Sequence, residues 1–233
     1  MDSKLTTIAF DADDTLWHNE RFFQLTQAHF AQLLADHAER DHLMERLLAA
    51  EKRNIQHYGY GIKGFVLSMI ETAIEVTEDR VPASVIRQLI DAGQEMLAHP
   101  IELLPYAREA VEGVAETHRV ILITKGDLID QERKLAQSGL GDLFDGVEIV
   151  SEKTAETYRT IFEQHGEGPL SAMMVGNSMR SDVVAPINAG CWGVHVPHGL
   201  VWEIEHAETP SHHPRFRELS DLGGLSDLVR ALG

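Results

Sequence analysis

The sequence predicts an α/β fold, a Rossmann-like parallel sheet flanked by helices, with an all-helical cap domain inserted. Three observations predict it. Short apolar runs of strand character recur along the chain. Helical patterns alternate with the later runs. The stretch from Asn19 to Ala98 contains no strand pattern. Strand alternating with helix implies parallel strands joined by right-handed crossovers.

The first run, Thr6 to Phe10, is apolar, β-compatible and stops at a group of acids. This is the pattern of a buried strand whose carboxyl end carries charge. Similar runs follow at Val120 to Thr124, Val147 to Val150, Met173 to Val175 and Val194 to Val196. Helical patterns cover Pro105 to Thr117 and Asp130 to Ser138, and Tyr158, Ile161 and Phe162 mark another by their spacing. Within the strandless stretch, four segments read as amphipathic or buried helices: Phe22 to His37, His42 to Tyr58, Gly64 to Val76 and Pro82 to Ala98. Pro82 suits a first helical position, where its missing N–H costs nothing. The expected organisation is a core of residues 1–17 and 99–233 with a cap of residues 18–98.

The 233-residue length suits one domain with an insertion. A formal net charge of −17 with no basic patch argues against a nucleic-acid partner and against an anionic membrane surface. A small phosphorylated substrate is compatible, because a bound metal and a few local cations outweigh the global field near a site. Cys191 is the single cysteine, so no intramolecular disulfide can form. The opening residues MDSKLTTIAF have too short an apolar stretch for a signal peptide, and no window approaches the ~20 apolar residues of a membrane span. The expected compartment is the cytoplasm. The long apolar helices can bury their faces within the chain or in a homodimer.

Asp11, Asp13 and Asp14 crowd the end of the first strand, with Thr15 behind them. In open parallel sheets, ligands bind outside the carboxyl ends of the strands. Three adjacent carboxylates stay ionised only if a cation compensates them or one takes a proton. That need suits a hard, oxygen-loving cation such as Mg2+. The plainer alternative is a solvated turn or a helix N-cap, roles in which Asp and Thr are favoured.

FDADDTL resembles the first motif of the haloacid dehalogenase-like hydrolase superfamily, whose phosphatases carry Asp-x-Asp-x-Thr. Three further segments resemble its other motifs in order: Thr124 at the end of VILIT, Lys153 in SEKTAETY, and VGNSMRSD. The strandless stretch falls where that superfamily inserts a helical cap. The resemblance implies a phosphatase of small phosphorylated metabolites. Asp11 is then the nucleophile that becomes an aspartyl-phosphate, and Asp13 the general acid/base. Thr124 hydrogen-bonds phosphate oxygens, helped by Lys125 and Gly126. Lys153 balances charge between Asp11 and the phosphoryl group. Asp11, the carbonyl of Asp13, Asp182 and Asn177 are the implied ligands of Mg2+. Asp14 occupies the variable position and receives no chemistry.

Two positions depart from the common pattern. Many relatives have Asn after the second-motif Thr; here stands Lys125, which either faces the phosphate or points to solvent. Many relatives begin the fourth motif Gly-Asp; here Asn177 replaces that acid and Asp182 supplies the next one. An amide oxygen ligates a cation without contributing charge, so the change bears on metal affinity. Ser178 and Arg180 are either support for the site or merely exposed. In the helical stretch, His57 to Gly64 breaks the helical pattern and offers Tyr58, Tyr60 and Lys63, either a substrate-facing loop or an ordinary turn. His198 and Trp202 follow the last strand, and His212 and His213 read as surface residues.

Competing readings within the superfamily are a dehalogenase, a phosphonatase-like hydrolase and a phosphomutase. Asp13 argues against the first two, which lack an acid at that position. A phosphomutase would keep both Asp11 and Asp13. A non-catalytic phosphate-binding protein is the reading from another class, encouraged by Asn177 alone.

Overall fold

The computed structural model describes residues 4–232. Among them, six parallel strands form one sheet: β1 (Thr7–Phe10), β2 (Arg119–Lys125), β3 (Gly146–Val150), β4 (Ala172–Gly176), β5 (Trp192–His195) and β6 (Phe216–Glu218). Their order is β3-β2-β1-β4-β5-β6. The chain builds outward from β1 to one side, then returns to build outward on the other. The reversal lies between β1 and β4, where doubly wound sheets open a crevice for ligands.

The helices in chain order are α1 (Glu20–Leu33), α2 (Arg40–Tyr58), α3 (Ile62–Val76), α4 (Ala83–Ala98), α5 (Ala107–Ala115), α6 (Leu128–Ser138), α7 (Ala155–His165), α8 (Ala185–Ala189) and α9 (Leu225–Leu232). The described residues divide into two compact units. One holds the residues up to Glu20, Ile101–Lys125 and everything from Gln131 onward; the other holds Arg21–Pro100 and Gly126–Asp130.

In the sheet unit, alternation along each strand builds two cores. Ile8 and Phe10 of β1, Val120 and Leu122 of β2 and Val175 of β4 join Leu16, Trp17, Val111, Val114 and Leu225 on one face. Ala9, Ile121, Ile123 and Met174 join Tyr158, Phe162 and Cys191 on the other. Each large side chain fully buried this way contributes roughly 1.5–3 kcal/mol. β1 is buried at every position, as its unbroken apolar run requires.

β3 differs from the buried strand that its apolar run suggests. It lies at a sheet edge, and Val147 is exposed. β6, the opposite edge, has no apolar run at all: its sequence is Phe-Arg-Glu. Only its pairing with β5, from Gly193 with Phe216 to His195 with Glu218, makes it a strand.

The helical unit has its own core, in which Phe30, Leu34, Leu43, Leu47, Phe65, Met69 and Leu89 meet. Its helices follow the four segments read from periodicity, with α1 starting and stopping earlier than its segment. Pro82 is the N-cap of α4 (φ −64°, ψ 139°), one position before the first helical residue expected for it. No helix among the described residues is long and apolar enough to cross a membrane.

Candidate active site

Three buried charges meet at the carboxyl end of the sheet. The β1–β4 ladder continues one residue past β1, where Asp11 N donates to Val175 O (2.9 Å), and the Asp11 side chain is fixed there. Lys153 stands three residues past the end of β3. Its Nζ donates to Asp11 Oδ1 (2.5 Å) and to Asp182 Oδ1 (2.7 Å). The side chains of Lys153 and Asp182 are each 1% exposed, and that of Asp11 10%.

Asp182 is aimed by the turn that carries it. After β4 the chain enters a wide helical turn, Met179–Val184. Ser178 caps it by accepting from Ser181 N (3.0 Å), and Ser178 N donates back to Asp182 Oδ2 (3.0 Å). Thr15 links the first and fourth motifs: its Oγ1 donates towards Asp11 Oδ2 (3.3 Å) and Asn177 Oδ1 (3.2 Å) and accepts from Asn177 N (3.0 Å). Tyr158 donates its hydroxyl to Ser181 O (2.9 Å) and braces the turn from below.

The electrostatics follow from this burial. Burial pushes Asp11 up to about 7, Asp182 adds to the rise, and Lys153 opposes it by charge and hydrogen bond. Burial works against the Lys153 charge, but Asp11 and Asp182 outweigh it and hold the ammonium above its usual value. The Tyr158 hydroxyl is likewise raised, by burial and then by Asp182. The triad thus carries one more carboxylate than ammonium. The donors present, Asp11 and Asp182 carboxylates with the Asn177 amide oxygen, are all oxygens and fit a hard divalent cation that would neutralise the surplus.

Asp13 has a different setting. Trp17 Nε1 donates to its Oδ1 (2.7 Å), Lys134 Nζ to both oxygens (3.0 and 3.1 Å) and Gln131 Nε2 to Oδ2 (3.2 Å). Lys134, itself buried, is anchored on Asn19 Oδ1 (2.9 Å) as well. Gln131 Nε2 also donates to Thr124 Oγ1 (2.7 Å), so one amide joins the second-motif hydroxyl to the Asp13 carboxylate. Thr124 is buried, and its Oγ1 donates to Lys125 O (3.3 Å).

Lys125 neither points to solvent nor stands alone. Its Nζ donates to Glu205 Oε1 (2.5 Å) and Ser181 Oγ (2.9 Å), and Glu152 Oε1 lies 3.5 Å away. Glu205 Oε2 accepts from Ser178 Oγ and Ser181 Oγ, both at 2.5 Å. Burial favours the neutral acid, but the Lys125 charge and these donors hold the Glu205 carboxyl below its usual value.

Four sequence-selected residues belong to the helical unit: Tyr58, Tyr60, Lys63 and Gly126. Lys63 pairs with Asp127 (2.9 Å) and is more than half exposed; its hydrogen bond is the main reason the Asp127 carboxyl is held low. Gly126, at φ 137°, occupies a backbone conformation that other residues avoid. Tyr58 is exposed and Tyr60 half-buried. In the sheet unit, Arg180 is exposed, reaching Ile204 O (3.2 Å), Trp202 is half-buried, and His212 and His213 are exposed. Asp14 caps the start of α1, its carboxylate oxygens accepting from Asn19 N (2.9 Å) and Glu20 N (2.8 Å). Burial leads the rise of its carboxyl to about 6, against those two bonds and the nearby His198.

Sequence reasoning missed Trp17, Gln131, Lys134, Ser181 and Glu205. Gln131 and Lys134 had a usable signal: they are three apart on one face of the helix behind Thr124. Glu205 had none, lying in a polar segment past the last apolar run.

A family model described as haloacid dehalogenase-like hydrolase matches residues 5–190. Comparison with curated proteins gives no match. A solved haloacid dehalogenase-like family hydrolase from Xanthomonas campestris is 41% identical, with TM-score 0.87 over 98% of this chain and 91% of its own. Two more distant structures share the fold. The magnesium-bound HAD-hydrolase YfnB from Bacillus subtilis is 16% identical, with TM-score 0.66 over 97% and 99% of the two chains. The L-2-haloacid dehalogenase from Xanthobacter autotrophicus is 16% identical, with TM-score 0.67 over 98% and 100%. Family match, strand order and the meeting of Asp11, Lys153 and Asp182 at the switch point agree: the chain belongs to the haloacid dehalogenase-like hydrolases.

Proposed function

We propose that this hydrolase is a magnesium-dependent phosphatase acting on a small phosphorylated metabolite through an aspartyl-phosphate. The observation that carries the reading is Asp13. A displaced alkoxide needs a proton, and a displaced halide does not. A second carboxyl group two residues from the nucleophile, in a separate hydrogen-bonded setting, suits phosphoester chemistry and is superfluous for dehalogenation.

In this reading Asp11 attacks phosphorus in line. The P–O ester bond breaks, and Asp13 protonates the departing oxygen to give the alcohol. Asp13 then takes a proton from water, which attacks the same phosphorus, releasing phosphate and regenerating Asp11. Lys153 offsets the charge gathering beside Asp11, and the Thr124 hydroxyl would turn from Lys125 O to the transferred group. Asp11, Asp182, Asn177 and the Asp13 carbonyl would hold Mg2+, which when bound supplies positive charge to the phosphoryl oxygens. The magnesium-bound relative from Bacillus subtilis supports this choice of cation.

A dehalogenase is the second reading. Asn177 and the ammonium of Lys153 favour it, because together they lower the demand for a metal. Hydrolysis of an aryl phosphate with and without Mg2+, beside halide release from 2-chloropropionate, separates the two. Magnesium-dependent phosphate release, lost in Asp11→Asn, is the expected result. Halide release that ignores both chelator and Asp13→Asn would overturn it.

A further inference from the structure

Asp14, His18 and His198 form a second constellation, none of whose side chains has a role in the proposed phosphatase chemistry, and it lies wholly within the sheet unit. One donor atom from each lies within 4.8 Å of the others. His198 Nδ1 is 3.6 Å from Asp14 Oδ1, and the two imidazoles meet edge to face with centroids 5.9 Å apart. We propose that these three side chains bind a transition-metal dication of the zinc class, separately from the oxygen-ligated site at Asp11 and Asp182.

The donor set selects the metal. Two imidazole nitrogens and a carboxylate oxygen suit Zn2+, Co2+ or Ni2+, whereas Mg2+ prefers oxygen alone. Ligands about 2.0–2.1 Å from a tetrahedral ion stand roughly 3.3 Å apart. The longest separation here therefore has to close by an ångström or so, a movement within reach of half-buried imidazoles. A water would complete the tetrahedron.

The anchor is already ordered. Asp14 is buried, and each of its oxygens is oriented by a backbone N–H while retaining a lone pair for an ion. The His198 ring is also held by Leu200 O, 3.1 Å from its Nδ1. The arrangement joins two loops: Asp14 and His18 follow β1, and His198 follows β5. An ion there would cross-link them, with Asp14 standing between Asp13 and Thr15 of the first motif.

The test uses the full chain, stripped with chelator, saturated with Mg2+ and titrated with Co2+ as a visible probe. We expect one equivalent of Co2+ with the intense absorption of a tetrahedral nitrogen-containing site, and a rise in Tm. His18→Ala and His198→Ala should each abolish that spectrum. Asp182→Asn, which damages the oxygen site, and His212→Ala, an exposed control, should leave it intact. A spectrum unchanged in both of the first variants, or lost only in Asp182→Asn, would overturn the proposal. So would a weak octahedral spectrum with no change in Tm, which would leave Asp14 a helix cap alone. None of these readouts depends on phosphatase activity.

Discussion

Gly176 makes room for Asp182. A Cβ at residue 176 would lie 2.4 Å from Asp182 Oδ2 and 2.6 Å from its Cβ, so no side chain fits without moving the carboxylate. Gly176 ends β4, and Asp182 folds back over it to meet Lys153. Gly176→Ala should therefore act as a metal-site mutation without replacing a ligand. Displacing a group that orients a metal ligand costs roughly 10–100-fold in affinity. A Mg2+ titration of turnover should show the half-saturating concentration raised by that factor, with the fold retained by circular dichroism.

Asp13→Asn separates acid catalysis from nucleophilic attack. With an alkyl phosphate the loss of the proton donor should reduce kcat by ~10²–10⁴-fold. An aryl phosphate, whose phenolate leaves readily, should lose much less in the first step. Measuring both substrates with the same variant checks this, and equal losses would remove Asp13 from the acid role.

The pH dependence of stability reports on Asp11. Its carboxyl is raised from 3.8 to about 7, so between those values the folded protein holds a proton that the unfolded chain has released. Stability of the metal-free protein must then fall as pH rises through that window, and it remains reduced above it. Asp14, raised to about 6, acts in the same direction. Asp11→Asn removes the surplus carboxylate and leaves Lys153 paired with Asp182. In chelator, the variant should melt higher than the parent above about pH 7, with the gap closing towards about pH 4. Parallel melting curves across that range would contradict the assignment.

Lys134→Met tests the grip on Asp13. It removes a buried ammonium that bonds both Asp13 oxygens and Asn19. Hydrogen bonds to charged groups contribute roughly 1.5–3 kcal/mol, so the midpoint of denaturant unfolding should drop by a corresponding amount.

Cys191 should be inert while the protein is folded. Burial pushes its thiol up to about 12, and its sulfur lies in the core beneath β4 and β5. Iodoacetamide at neutral pH should leave the native mass unchanged and add one adduct after denaturation.

The sequence carried the parts of the fold that periodicity can encode. β1, β2, β4 and β5 announce themselves as apolar runs because both faces are covered. β6 does not, because three residues at an edge become a strand only through their neighbour. The same division holds at the site. Asp11, Thr124, Lys153 and Asp182 can be picked out because each stands at the end of a strand or a few residues past it. Lys134 and Glu205 act by reaching across the sheet unit: Lys134 meets an aspartate 121 positions away, and Glu205 a lysine 80 positions away. No local pattern records contacts of that separation.

Glu205 lies outside the stretch that the family model covers, yet it clamps Lys125 and both serines of the fourth-motif turn. The charge beside Thr124 is therefore set by a residue beyond the matched stretch. Glu205→Gln would loosen that clamp while every motif residue stays fixed.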